Sequence, residues 1–356
     1  MEGRDLEIRP RGLTGVNAGI NLVRFFLAAN VVEFHLWNSL ARGAGPVAVV
    51  AFFYLSGYVI TQIVQEVYAT AGQAGAFLLN RFLRIYPQYV GAVLLSLAAV
   101  YAYPEVAEHI NDYMSWPDGW AQWIPQFAIF GLYDSDLRLL PATWSLSTEL
   151  YYYLLIGLVT GHSRRLTVAL LLVSLPVGAL CALHVLPFDF YGHPVGNGFV
   201  FAFGSITYFY RNAFRVSRPI FAIAFIAYLL HTYAIPLLGD YDLSNGDIAG
   251  SLVPFSLIIV YLVQNDFKNE RFVNFANVLG KLSYPMFLTH WTVCVFVSAI
   301  FFGGRASYDA TTLADGAAYF FAMFVAVIAC SLLFYRFIDK PVERIRVAVR
   351  SRARSS

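Results

Sequence analysis

Charge is what this sequence has least of. Only 13% of its 356 residues are Asp, Glu, Lys or Arg, against about 25% in an ordinary soluble domain. With 58% hydrophobic residues and a mean hydropathy of +0.60, the shortage excludes a soluble globular chain and points to a polytopic membrane protein. Cysteine is nearly as scarce. Cys181, Cys294 and Cys330 all fall in apolar stretches, which argues against a disulfide framework or a metal site. No internal repeat is visible, so nothing hints at the inverted halves of a transporter. No cleavable leader is expected, because the first apolar run begins near Val16, behind MEGRDLEIRPRGLTG. No appended soluble domain is expected at either end.

Apolar length is what the sequence has instead. Stretches fall at roughly 16–37, 47–66, 88–103, 143–160, 166–185, 195–210, 219–237, 248–264, 282–302 and 316–335. They predict an all-α polytopic membrane protein of about ten transmembrane helices, a single membrane domain over 1–356 with a leading segment 1–15 and a basic tail 336–356. Ten spans put both termini on one side, and the positive-inside rule makes that side the cytoplasm. The N-terminus, the alternate loops and the tail hold 20 of the 24 Lys and Arg. The opposite side holds only Arg42, Arg138 and Arg305, with twelve acids, six of them in the loop 104–142. The expected location is the cytoplasmic (inner) membrane. Within that loop AQWIPQFAIFGLY is too short to span and is broken by Pro125, so an interfacial or re-entrant segment is expected. The tail RVAVRSRARSS suits anionic lipid on the cytoplasmic leaflet; a nucleic-acid partner is not expected.

The first span carries three ionisable residues, Arg24, Glu33 and His35, and such groups inside a bilayer read as functional by default. Arg24 and His35 are eleven residues apart, which returns them to one helical face about 16 Å apart along the axis. The bland alternative is a snorkelling arginine and a capped histidine; both on one stripe favour a site. Ser56-Gly57 in the second segment fits close helix packing and substrate contact about equally. RFLRIYP places Arg81 and Arg84 three apart, on one face at the membrane surface, ahead of a turn at Tyr86-Pro87. Two guanidiniums there suit a phosphate; lipid-facing topology residues are the competing reading. PATWSLSTELYYYLL enters from the outside, so Glu149 is expected at the depth of His35, to pair with it and hold its tautomer. Glu33, two residues from His35, needs another partner. In KLSYPMFLTHW, Ser283 and Tyr284 lie near the cytoplasmic entry, and His290 reads first as a satisfied packing histidine, since no carboxylate can be assigned to it, and second as another catalytic histidine.

Together these motifs resemble the integral-membrane acyltransferase-3 family, whose members O-acylate sugars and other hydroxyl acceptors. The resemblance runs from Asn21 to FIDKPVE at Phe337–Glu343. It rests most on the Arg24-(ten residues)-His35 spacing, the Arg81-x-x-Arg84 pair and WSLSTE ending in Glu149; SYPMFLTH is a looser match. It implies an essential first-helix Arg and His and an acyl-CoA donor, acetyl-CoA in particular, with no metal. By that resemblance the essential roles pass to Arg24, His35, Arg81 and Arg84. With Glu149 as the partner of His35, the expected catalytic residues are His35, Glu149 and Arg24, and the expected donor-binding ones Arg81, Arg84, Ser56 and Tyr284. Glu33 stands where the family usually has an apolar residue. Unlike the two-domain members that modify peptidoglycan, no hydrolase-like domain is expected after the last span. The expected reaction moves an acyl group from cytoplasmic acyl-CoA to a hydroxyl of a glycan or lipid-linked sugar at the outer side. His35 would act either as general base or as acyl carrier. A transporter or flippase for a glycan or lipid would also hold intramembrane Arg, Glu and His but needs no paired arginines. A lipid or protein acyltransferase using Asn and His lacks an evident Asn here.

Overall fold

A computed structural model describes residues 14–37, 43–234, 244–265, 267–310 and 312–355. Arg42 and most of the leading segment 1–15 lie outside the described residues. Every regular element among the described residues is helical. Each of the ten apolar stretches forms a helix: α1 (Thr14–Leu36), α2 (Ala44–Glu66), α3 (Ala74–Ala102), α6 (Trp144–Leu158), α7 (Arg164–Ala182), α8 (Pro194–Tyr210), α9 (Arg218–Leu229), α11 (Leu252–Gln264), α12 (Glu270–Phe301) and α13 (Leu313–Phe334). The short α4 (Pro104–Ile110) and α5 (Trp120–Ala128) lie in the long loop, α10 (Asn245–Gly250) leads into α11, and α14 (Lys340–Ser355) is the tail. Seven helices are long and apolar enough to cross a membrane by length and composition: α1, α2, α3, α7, α10 with α11, α12, and α13 with its extension. α6 and α8, of 15 and 17 residues, and α9 fall short of that length.

Two expectations change here. The turn at Tyr86-Pro87 does not exist, because α3 runs straight through Pro87. A proline inside a helix costs one backbone hydrogen bond, which packed neighbours in a bundle can make good. Arg81 and Arg84 therefore belong to a 29-residue helix and face its neighbours, rather than preceding a turn at the membrane surface. The tail is likewise more than a lipid-facing strand of charge. α14 packs along α3, with Asn80 Nδ2 donating to the Arg346 carbonyl (3.2 Å) and Gln73 Nε2 to that of Ala353 (2.6 Å).

Side-chain registers give the helix directions. α1 and α12 run parallel, since Asn21 bonds to Asn277 (2.9 Å) and His35 to His290 (3.0 Å). α3 shares their direction, with Tyr284 on the Ile85 carbonyl at one end and Tyr103 against Phe296 at the other. α2 opposes α1, its Gly45 lying against Phe34, and α6 follows α2, pairing Glu149 with Ser56 and Gly161, just beyond its end, with Gln65. α13 opposes α12, since Cys294 meets Tyr319 while Lys281 meets Tyr335.

The apolar interior falls into two large clusters. One gathers α2, α8, α9 and α11; the other gathers α3, α12, α13 and the long loop. α1 lies between them, giving Leu27 and Val31 to the first and Ala28, Val32 and Leu36 to the second. The first cluster is drawn tight where α2 crosses α8. A Cβ on Gly57 would sit 2.0 Å from the Phe201 carbonyl oxygen, and one on Gly204 1.9 Å from that of Tyr54. Only glycine permits such backbone approach, so Gly57 serves packing while its neighbour Ser56 faces the opposite way.

The long loop presents an apolar face. α5 carries Trp120, Ile124 and Phe127 exposed, side chains of the kind that suit a membrane interface. Its other side is tied down, Gln126 bonding both the Leu137 carbonyl (2.9 Å) and the Leu139 N–H (3.0 Å).

Candidate active site

At the seam between the two clusters lies a cavity of about 940 Å³, mouth included, lined by α1, α2, α3, α6 and α12. Six of the seven expected site residues, all but His35, meet in its walls: Arg24, Ser56, Arg81, Arg84, Glu149 and Tyr284. Five separate helices bring them together, and no local pattern in the sequence contains that arrangement.

Glu149 is the anionic centre of the cavity. Its Oε1 accepts from the Ser56 hydroxyl and from the Tyr153 hydroxyl (2.6 Å), and Arg24 and Arg81 lie within electrostatic reach. Arg24 and Arg81 make no hydrogen bond or ion pair with any described residue, and the Arg81 Nε is buried without a partner. The Arg81 guanidinium is held by shape, packed over the rings of Phe77 and Tyr153 at 5.8 and 5.9 Å, a cation–π arrangement that leaves the donors free. Arg84 is different. Its Nη1 is paired with Asp339 Oδ1 (2.9 Å), which also accepts from Gln88 (2.8 Å), and it packs over Tyr284. Asp339 comes from the FIDKPVE stretch, so the closing motif supplies the counter-charge for Arg84.

The expected His35–Glu149 pair does not form. Glu149 stands at the Arg24 end of α1, whereas His35 stands at the other, about 16 Å away along the helix. The depth argument fails because α6 begins inside the protein. The residues leading into it, Leu139 to Thr143, are buried under the long loop, and Ser147 and Thr148 are fully buried. A 15-residue helix covers about 22 Å, less than the about 30 Å of hydrocarbon, so its first turn already lies deep.

His35 instead bonds to His290, Nδ1 to Nε2 at 3.0 Å. Trp291 and Phe34 flank its ring at 4.8 and 5.2 Å between centroids. His35 itself is partly exposed while His290 is fully buried. Above them the short turn Ser307–Asp309 reaches over, Ser307 Oγ donating to the His35 carbonyl (3.4 Å). That turn is clipped by His109 Nε2 to Asp309 (2.8 Å). The His109 contact and the Ala306 N–H hold the Asp309 carboxyl below the usual carboxylate range.

Glu33 finds the partner that the sequence left open: the Tyr233 hydroxyl lies 3.2 Å from its Oε2 and 3.0 Å from Asn30 Oδ1. Sequence reasoning missed Tyr153, Asp339 and Tyr233. Tyr153 was within reach, lying four residues after Glu149 on a helix; the other two are long-range and left no local signal. Among the described residues no group of three His, Cys, Asp or Glu side chains is placed to hold a metal ion.

An all-helical membrane bundle with a buried cationic cavity and a separate imidazole pair is the class of protein this geometry defines. The chain belongs to the acyltransferase domain family, which it matches over residues 17–336. It is similar to the O-acetyltransferase OatA of Staphylococcus aureus (strain NCTC 8325), at 24% identity over 94% of this chain and 58% of that protein. It is also similar to an uncharacterized protein of Aquifex aeolicus (strain VF5), at 27% identity over 43% of this chain and 69% of that one. The chain thus spans well under two thirds of OatA. No solved structure matches it.

Proposed function

We propose that this protein is a membrane O-acyltransferase that moves an acyl group, acetyl in the simplest case, from cytoplasmic acyl-CoA to a hydroxyl of a glycan or lipid-linked sugar at the outer side of the cytoplasmic membrane. The observation that carries this reading is the pair of unpartnered guanidiniums, Arg24 and Arg81, in the cavity at one end of the helix that bears His35 at the other. Burying two cations with one nearby carboxylate is costly unless an anion completes the site. The phosphates of acyl-CoA supply that anion.

In this reading all ten apolar helices cross and both termini face the cytoplasm. The parallel packing of α1 and α12 supports it, because parallel helices need an odd number of crossings between them. The four long spans between α1 and α12 leave an even number; adding α6, α8 and α9 makes it odd. The excess of Lys and Arg at the Arg24 end then sets that end in the cytoplasm.

The donor's phosphates bind among Arg81, Arg84 and Arg24, and its thioester arm extends along α1 towards His35. His35 Nε2 takes the proton of the acceptor hydroxyl as the oxygen attacks the thioester carbonyl. The C–S bond breaks, and the leaving thiolate takes the proton back from the imidazolium. Glu149 is no longer an orienter of the histidine; it fixes Ser56 and Tyr153 and balances the charge of the donor cavity. The test is CoA release from acetyl-CoA by the purified protein, with and without an oligosaccharide acceptor. Acceptor-dependent release lost in His35→Ala supports the reading. Undiminished release in that variant overturns it, and a bound glycan moved across vesicles without CoA release would make the protein a transporter.

A further inference from the structure

The hydrogen-bond partners of the two histidines leave little freedom in where their protons sit. His290 Nδ1 lies 2.9 Å from the Phe287 carbonyl oxygen and 3.2 Å from that of Met286. Carbonyl oxygens only accept, so Nδ1 must carry the hydrogen. The ring is fully buried, and among the described residues no carboxylate bonds to it. A second proton would create an uncompensated charge in the apolar interior. His290 is therefore neutral, with a bare Nε2 lone pair. That lone pair points at His35 Nδ1, 3.0 Å away. The two rings are parallel within 3°, with centroids 5.0 Å apart, a separation that fits an edge-to-edge bond in a common plane rather than face-to-face stacking. His35 Nδ1 must then be the donor, so its own proton is held there. Nε2 of His35 is left as the free base.

We infer that His290 is a positioning residue: its carbonyl-locked imidazole holds His35 in the Nδ1–H tautomer, so that Nε2 is the atom that takes the acceptor's proton. The inference rests on the reading of His35 as general base. It replaces the carboxylate that such a histidine often has with a neutral acceptor. A neutral partner fixes the tautomer and the ring plane without adding a negative charge. The chain Phe287 carbonyl, His290, His35 reaches back through α12, and Phe287 also lines the donor cavity.

The test compares His290→Gln, whose amide oxygen can reach the place of Nε2 and accept from His35, with His290→Phe, which keeps the ring and removes the acceptor. In detergent or nanodiscs His290→Phe is expected to lower kcat ten- to a hundred-fold, by analogy with lost histidine-orienting partners elsewhere, with the KM for acetyl-CoA unchanged. His290→Gln is expected to recover most of kcat. Equal losses in the two variants would overturn the inference, as would a fall confined to KM. Independently of activity, the ¹⁵N spectrum of ring-labelled wild-type protein should show His35 with Nδ1 protonated and Nε2 bare; a protonated Nε2 would overturn it even if no variant folds. Failure of the general-base reading is distinguishable, since it would appear as activity surviving in His35→Ala while the His35 tautomer stays as described.

Discussion

The two ends of α1 are built on opposite electrostatic plans. At the Arg24 end the helix joins its own guanidinium to two others, a carboxylate and several hydroxyls around a cavity. At the His35 end it faces an imidazole, an indole and a phenyl ring, and no carboxylate bonds to either histidine among the described residues. In the proposed function one end holds charge from a ligand and the other holds neutral rings in a fixed orientation. Separating the two spares the base the neighbouring cations, which would oppose the positive charge its imidazole takes on when it accepts a proton.

The largest effect should come from the neutral end. His35→Ala is expected to lower acyl transfer by at least 10²–10⁴-fold, the usual worth of a positioned base, while acetyl-CoA binding, followed by calorimetry, stays intact. Binding lost together with activity would mean that the two ends are one site.

At the charged end Arg24→Ala and Arg81→Ala should each weaken acetyl-CoA binding by about 1.5–3 kcal/mol, the range for a hydrogen bond to a charged group. Arg81→Lys should recover only part, because a point charge replaces a two-pronged donor. Unchanged affinity in the double alanine variant would reduce these arginines to topology determinants.

The separation itself is tested by a double-mutant cycle. With the expected dyad absent from the structure, Glu149→Gln and His35→Asn should act independently, their effects on kcat/KM multiplying, as for distant sites without shared partners. Strong non-additivity would restore the dyad and contradict the two-ended arrangement.

Smaller effects are expected away from both ends. Gly204→Ala forces the α2–α8 crossing apart and should cost roughly 1–3 kcal/mol of stability, read by thermal unfolding in detergent. Asp309→Asn, in the turn over His35, should change stability by less than about 0.5 kcal/mol near neutral pH. The carboxyl of Asp309 is held low by His109 and the Ala306 N–H. Its contribution is therefore present above the unfolded carboxylate range and lost as pH falls through its lowered value, so wild type and variant should converge in strong acid.

Much of this molecule is written locally. The ten helices follow from apolar length, the membrane location from the shortage of charge, and the shared face of Arg24 and His35 from helical periodicity. These are properties of short windows, which is why the sequence alone determined them. Residue types at Arg81, Glu149, Ser56 and Tyr284 marked candidate positions for the same reason. Partnership was decided only in three dimensions. Whether Glu149 meets His35 depends on how far the loop before α6 folds in, which is set by Gln126 and the burial of 139–143. That His290 has a task depends on α1 and α12 packing in parallel, 255 residues apart in the chain. Depth and pairing are sums over many distant contacts, and no stretch of sequence carries such a sum.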